Sequence, residues 1–303
     1  MEKKLDFRGV NAIEFHKRFK GDEDCYEYIA RIKWSDEKFS CKKCGYQKMF
    51  KGKKPFSRRC MKCKYDESPT ARTMFDKVKF PLLIAFHLIF KISSRKKGMS
   101  TLELSREFGL RQMTCWKFKQ KIQQAMSSAG NYKLAGEVHV DECLIGGEEE
   151  EKRGRSHGKK KLVVIGLEII ESGVGRAYAE IIKDSSSDSF KPFFEKYISK
   201  EATIKTDEWT GYSPLKKDYK NLKQALSDSG KSFPDLHIHI MNLKGWLRGI
   251  HHHCSKEHIQ GYLNEYHFRY NRRNNLSEIF NTIVKRMVDN EPVRLAEINY
   301  KAT

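Results

Sequence analysis

The sequence predicts a chain of three parts: a small metal-stapled module, a helical module, and a C-terminal α/β domain. Three observations carry this reading. Two Cys-x-x-Cys pairs lie between Cys41 and Cys63. A helix–break–helix pattern spans 100–126. From about residue 137 the hydrophobic period changes from helical to alternating, in the order strand, strand, strand, helix, strand. The expected boundaries are 1–75 for N-terminal helices and the cysteine module, 76–130 for the helical module, and 131–303 for the α/β domain with a basic helical C-terminus. At 303 residues the chain can build more than one hydrophobic core.

Residues 12–34 predict two short helices, AIEFHKRF and CYEYIARIKW, with Asp22 or Asp24 as N-cap of the second. Next come Cys41-Lys-Lys-Cys44, fifteen intervening residues and Cys60-Met-Lys-Cys63. Two such knuckles around hairpin-like sequence match a four-thiolate structural zinc site, a zinc ribbon. A closed Zn²⁺ shell folds the segment and does no chemistry. Lys42, Lys43, Arg58, Arg59, Lys62 and Lys64 surround it and suit a nucleic acid contact. Cys25, Cys115, Cys143 and Cys254 are scattered and expected to be small buried apolar residues.

The stretch STLELSREFGLRQMTCWKFKQKIQQAM (100–126) predicts a helix–turn–helix. Ser100 can cap a helix carrying Leu102 and Leu104, Gly109 breaks it, and a second helix runs from about Arg111. In that second helix Met113, Trp116 and Ile122 are expected to face inward. Arg111, Lys117, Lys119 and Lys121 are expected to face out, the first three as DNA contacts. In the last part EVHVDECLI, KKLVVIGLEII and RAYAEII read as strands, DSFKPFFEKYI as an amphipathic helix and ATIKTD as a further strand. This is the opening order of a ribonuclease H-like fold. Glu148–Glu151 and Lys159–Lys161 read as a solvated hairpin end, and 255–289 as helical.

Charge narrows the partner. Lys plus Arg number 59 against 39 Asp plus Glu, a net +20 spread along the chain. Such an excess favours a polyanion, because neutralised phosphates release counterions. The longest apolar run, PLLIAFHLIF (81–90), is about half a membrane span, and MEKKLDFRGV lacks a signal-peptide core. The expectation is a cytoplasmic, nucleoid-associated protein with no membrane partner.

Asp141 and Asp207 each close a predicted strand, before Ile145-Gly146-Gly147 and Glu208-Trp209 respectively. Carboxylates at adjacent strand ends can hold divalent cations, and two such ions about 4 Å apart can assist phosphoryl transfer. Residues 237–254, HIHIMNLKGWLRGIHHHC, then offer five histidines and no carboxylate. The alternation His237-Ile-His239-Ile reads as a strand end with both histidines on one face. His251, His252 and His253 read as packing or phosphate contacts rather than a second metal site.

VHVDECLIGG, TDEWTGY and IHHHCSKEHIQGYLNEYHFRYNRR, behind CYEYIARIKW…CKKCG, closely resemble the insertion-sequence transposases of family fifteen-ninety-five, also called ISXO2-like. The resemblance covers nearly the whole chain. It implies a DDE-type transposase that binds its terminal inverted repeats, cleaves transposon ends and joins them to target DNA, as a homodimer or higher assembly on DNA. It places Asp141 and Asp207 on the first two catalytic positions, with Mg²⁺ or Mn²⁺ as cofactor. Many members carry N-x-x-E in the third block and a lysine seven residues after that glutamate. Aligning the downstream glycine and histidines puts Lys244 on the lysine, expected to hold a DNA phosphate, and His237 on the glutamate. His239 and Asn242 remain rivals for that ligand. The alternative function is a non-enzymatic zinc-ribbon and helix–turn–helix regulator, which has no use for paired aspartates.

Overall fold

A computed structural model describes residues 7, 9–35, 39–146, 160–226, 228, 231–251 and 254–293. The runs 148–151 and 159–161 and the histidines His252 and His253 therefore lie wholly or partly outside the described residues. The chain divides into two compact units, 1–126 with 274–298, and 127–273 with 299–303.

The first unit opens with α1 (Ala12–Arg18) and α2 (Asp22–Lys33). Helix α2 begins earlier than expected: Gly21 is its N-cap, and neither Asp22 nor Asp24 takes that position. Instead the Asp24 carboxylate accepts from the Lys20 and Gly21 N–H groups, while Asp22 accepts from Leu83 N–H at the start of α3 (Leu82–Ser94). Between α2 and α3 stand three short antiparallel strands, β1 (Met49–Lys51), β2 (Arg58–Cys60) and β3 (Asp66–Glu67), in the order β1-β2-β3. Helices α4 (Thr101–Phe108) and α5 (Gln112–Ala125) follow. Ser100 and Glu103 form a reciprocal capping box at the start of α4, and Gly109 ends it at φ +64, the left-handed stop that favours glycine.

The second unit is built on a five-stranded mixed sheet. Strands β4 (Glu137–Ile145), β5 (Lys161–Ile170) and β6 (Gly173–Ile182) form an antiparallel meander. After α6 (Ser187–Tyr197), β7 (Thr203–Thr206) joins β4 in parallel, and β8 (Leu222–Gln224) joins β7 in parallel, giving the order β6-β5-β4-β7-β8. Helices α7 (Pro234–Ile250) and α8 (Ile259–Tyr270) complete the unit. Each face of the sheet has its own core. Val138 and Val140 pack with Phe190, Phe193 and Tyr212 on the α6 side. Cys143, Ile145 and Val163 pack with Leu236, Leu243 and Leu263 on the α7–α8 side.

Helix α7 corrects the expected strand at His237–Ile240. The two-residue alternation covers only four positions, whereas Leu236, Ile240, Leu243 and Leu247 repeat at helical spacing and all are buried. Pro234 in the first turn reinforces the helix. The C-terminal helix α9 (Ile279–Asp289) is a second departure: it packs against α2, α3 and α5 of the first unit, not within the α/β domain. Its Phe280 sits 5.2 Å from Phe7 and 5.8 Å from Phe86, and Tyr28 donates to Asn281, so burial of aromatic surface holds it there.

Candidate functional site

The cysteine site builds itself from two repeats of one local structure. Cys41 N–H donates to Tyr46 O and Cys60 N–H to Tyr65 O, each 2.9 Å. Gly45 N–H turns back to Cys41 O, and Lys64 N–H to Cys60 O. Gly45 and Lys64 both have left-handed φ. The two knuckles thus point four sulfurs at one place. All lie within 4.8 Å of one another, with Cys41–Cys63 at 3.5 Å and Cys44–Cys60 at 3.6 Å. A zinc tetrahedron with arms of about 2.3 Å needs about 3.8 Å between thiolates, so the donor set fits Zn²⁺. Among the described residues this is the one group that brings three or more potential ligands so close.

The carboxylate site depends on register across the sheet. The β4–β7 ladder pairs Val138 with Ile204 and His139 with Lys205. Two residues beyond that last pair stand Asp141 on one chain segment and Asp207 on the other, past the end of the ladder. Asp141 is not at the end of its strand as expected, since β4 continues to Ile145 against β5. It is the end of the parallel partner, β7, that leaves the edge of β4 open there. Asp141 lies on the α7 side, because Val138 and Val140 take the other face, and Asp207 follows directly on β7.

Helix α7 delivers His237 to this place. Its Nε2 is 3.6 Å from Asp141 Oδ2, and that nitrogen is covered yet has no hydrogen-bond partner among the described residues. His237 and Asp141 are thus a close pair of potential ligands, without a third Asp, Glu, His or Cys ligand atom gathered within 4.8 Å of both among the described residues. Lys244, two turns on, lies on the same helix face; its ammonium acts on the Cys143 thiol. That thiol is pushed up to about 12, first by burial, with Lys244 opposing and Asp141 and Glu142 adding.

The rivals fare differently. His239 faces the core, with Nε2 3.1 Å from His267 Nε2, and burial pushes it down to about 3, with His267 and Arg273 adding. It is therefore removed from the carboxylates, because residues two apart on a helix do not share a face. Asn242 is exposed, about 140° around the helix from His237 at 3.6 residues per turn. His251 stacks on Tyr262 at 3.7 Å, a packing role.

Several residues around the aspartates were not singled out from sequence. Tyr212 hydroxyl donates to Glu142 Oε2 at 2.6 Å, and Trp209 indole N–H to Ser185 O at 2.7 Å. Gly211 lies against that contact, where a Cβ would stand 2.2 Å from Ser185 O. Gln224 Nε2 donates to Asp207 O and Trp209 O. These residues explain most of the TDEWTGY block, which was the available signal. On Asp141's own face Glu137 accepts from Lys205 and contacts His139, and Lys205 first, then His139, hold its carboxyl below the usual range.

The residues of the expected helix–turn–helix divide. Arg111 and Lys117 are exposed. Lys119 is buried, its Nζ donating to Met99 O at 2.8 Å, which corrects its expected outward position. Lys121 is half-buried and donates to Met74 O, whereas Met113, expected inside, is exposed. The inward stripe is Cys115, Phe118, Ile122 and Ala125, whose spacing places Lys119 on the covered side and Met113 outside it.

Among the described residues no helix is long and apolar enough to cross a membrane. Residues 133–271 match the family described as the ISXO2-like transposase domain. Among solved structures the chain is similar to one in a crystal structure of a pre-cleavage Mos1 transpososome. That match has 12% identity and a TM-score of 0.27, over 62% of this chain and 74% of that one. No curated protein matches the chain.

Proposed function

From the match of residues 133–271 to the ISXO2-like transposase domain we propose that the chain is a DDE-type DNA transposase whose third metal ligand is a histidine. The observation that supports it is His237 Nε2 of α7 3.6 Å from Asp141, with Asp141 and Asp207 each two residues past the end of one parallel ladder.

In this reading Asp141, Asp207 and His237 hold Mg²⁺ or Mn²⁺. Divalent ions there supply charge stabilisation for the attacking and leaving oxygens of a phosphodiester. Lys244 holds a DNA phosphate beside the carboxylates; an ammonium cannot itself be a metal ligand. The four thiolates hold Zn²⁺ and order the ribbon. Arg111 and Lys117 on α5 contact the terminal inverted repeats. Lys119 leaves this set, since its ammonium is committed to Met99 O. The net charge of +20 suits both terminal and target DNA, and a cytoplasmic, nucleoid-associated homodimer or larger assembly would bring two ends together.

The test is nicking and joining of a labelled fragment carrying the element's ends, with and without divalent cation. Divalent-dependent nicks and joined products are expected. Asp141→Ala and Asp207→Ala are each expected to lose at least about a thousandfold in rate while staying folded, as removal of several kcal/mol of charge stabilisation requires. DNA binding without any divalent-dependent nick would instead fit the regulator.

A further inference from the structure

The β4–β7 ladder stops at His139 and Lys205, before either aspartate is reached. Backbone pairing therefore does not fix the separation of the two carboxylates. Side chains must do so. Gln224 ties Asp207 and Trp209 to β8, and Trp209 ties the turn to Ser185. Of the three ties, the one that reaches β4 is the hydroxyl of Tyr212, which donates to Glu142 Oε2 at 2.6 Å.

Each partner of that bond is itself fixed. Tyr212 is fully buried and stacked on Phe190 at 4.4 Å and 9°. Glu142 follows Asp141, and its N–H donates to Asp141 Oδ1 at 2.8 Å. A continuous path thus runs from Asp207 through the 3-10 turn Thr210–Lys217 to Tyr212, across to Glu142, and into Asp141. Tyr212 belongs to the core on the α6 face, and Glu142 on β4 turns to that face to accept its bond, whereas Asp141, one residue earlier, points to the other.

We propose that Glu142 and Tyr212 are a positioning pair that sets the spacing of Asp141 and Asp207 for two divalent ions. This rests on the reading that those aspartates are the metal ligands. A tether acting behind a ligand alters metal affinity before it alters the fold, and loss of such partners typically weakens binding about 10- to 100-fold.

The experiment titrates Mn²⁺ into the zinc-loaded full chain by calorimetry, beside its melting temperature, for Tyr212→Phe, Glu142→Gln and the double variant. Tyr212→Phe keeps the ring on Phe190 and removes the bond; Glu142→Gln keeps the shape and removes the charge. Each is expected to weaken Mn²⁺ binding about tenfold, to raise the Mn²⁺ needed for half-maximal nicking in parallel, and to recover rate at saturating Mn²⁺. The double variant should be no weaker than the worse single, because Tyr212→Phe removes and Glu142→Gln weakens one and the same interaction. Wild-type Mn²⁺ affinity in both singles, with or without a lower melting temperature, overturns the proposal. If Tyr212→Phe does not fold, Glu142→Gln decides alone. Asp141→Ala separates the two levels. If it binds Mn²⁺ like wild type, the ligand reading fails and the pair with it. If it loses Mn²⁺ while the pair variants keep it, the pair alone is refuted.

Discussion

The two candidate metal centres are built on opposite plans. The thiolate centre takes all its ligands from one stretch, Cys41–Cys63, and two copies of the same knuckle make it. The carboxylate centre takes Asp141 from β4, Asp207 from the end of β7 and His237 from α7. The first has a closed shell whose geometry already fits its ion. The second leaves an uncapped imidazole nitrogen beside a carboxylate. A centre whose ion does chemistry needs open positions and a surrounding framework; one whose ion only folds the chain needs neither.

Breaking the thiolate plan should have the largest effect. Cys44→Ser or Cys60→Ser should lose zinc and unfold about residues 39–67, since binding and folding are one event there. Metal content with hydrogen exchange across that stretch reads it out, and retention of one zinc per chain would refute the ligand set. The α/β unit should keep its exchange protection in these variants.

The contrast explains what could be read from sequence. The ribbon was legible because spacing alone specifies a local site. The order of strands and helix along the chain was legible because strand and helix periods differ over eight to ten residues. Asp141 and Asp207 could be named, but the β4–β7 pairing that brings their segments together is encoded by no local pattern. The residue expected to supply the third ligand, His237, lies on a helix and not at the strand end expected for it. Four residues of alternation, His237–Ile240, are too few to outweigh the longer helical repeat through Leu247. Lys119 was misplaced by treating every lysine on α5 as solvated; its apolar stem is covered and its ammonium donates to Met99 O. The Glu142–Tyr212 contact joins distant segments across a sheet and could not be read from either motif by itself.

A second test sharpens the comparison through pH. His239 and His267 face each other inside the α/β unit, held down to about 3 and about 4, chiefly by burial. Both folded values lie below the ordinary value of about 6.5. The stability they protect is therefore present above pH 6.5 and is lost as pH falls toward 4, while the unfolded chain takes up protons that the folded one refuses. The loss should approach about 1.4 kcal/mol per pH unit for each histidine. Denaturant unfolding of the α/β unit followed from pH 7.5 to 5 should show this slope, and His267→Gln should reduce it. A flat profile would show that the pair is protonated or solvated.

The smallest effects concern DNA contacts. Arg111→Ala and Lys117→Ala should each lower the slope of log K against log salt by about one unit and weaken end binding modestly. Lys119→Met should leave that slope alone and alter melting temperature instead, because its ammonium is spent on Met99 O. A salt slope changed by Lys119→Met but not by Lys117→Ala would reverse the assigned faces of α5.

The imidazole at the third position is the central claim, and nicking of a labelled end by three proteins in two metals tests it. A neutral imidazole makes the site one charge less negative than a carboxylate, and Mn²⁺ accepts nitrogen more readily than Mg²⁺. Wild type should therefore nick better with Mn²⁺ than with Mg²⁺. His237→Ala should lose at least about a hundredfold in both while staying folded, and His237→Glu should nick with Mg²⁺. Wild-type activity in His237→Ala would contradict the account, leaving Asp141 and Asp207 as the whole of the metal site.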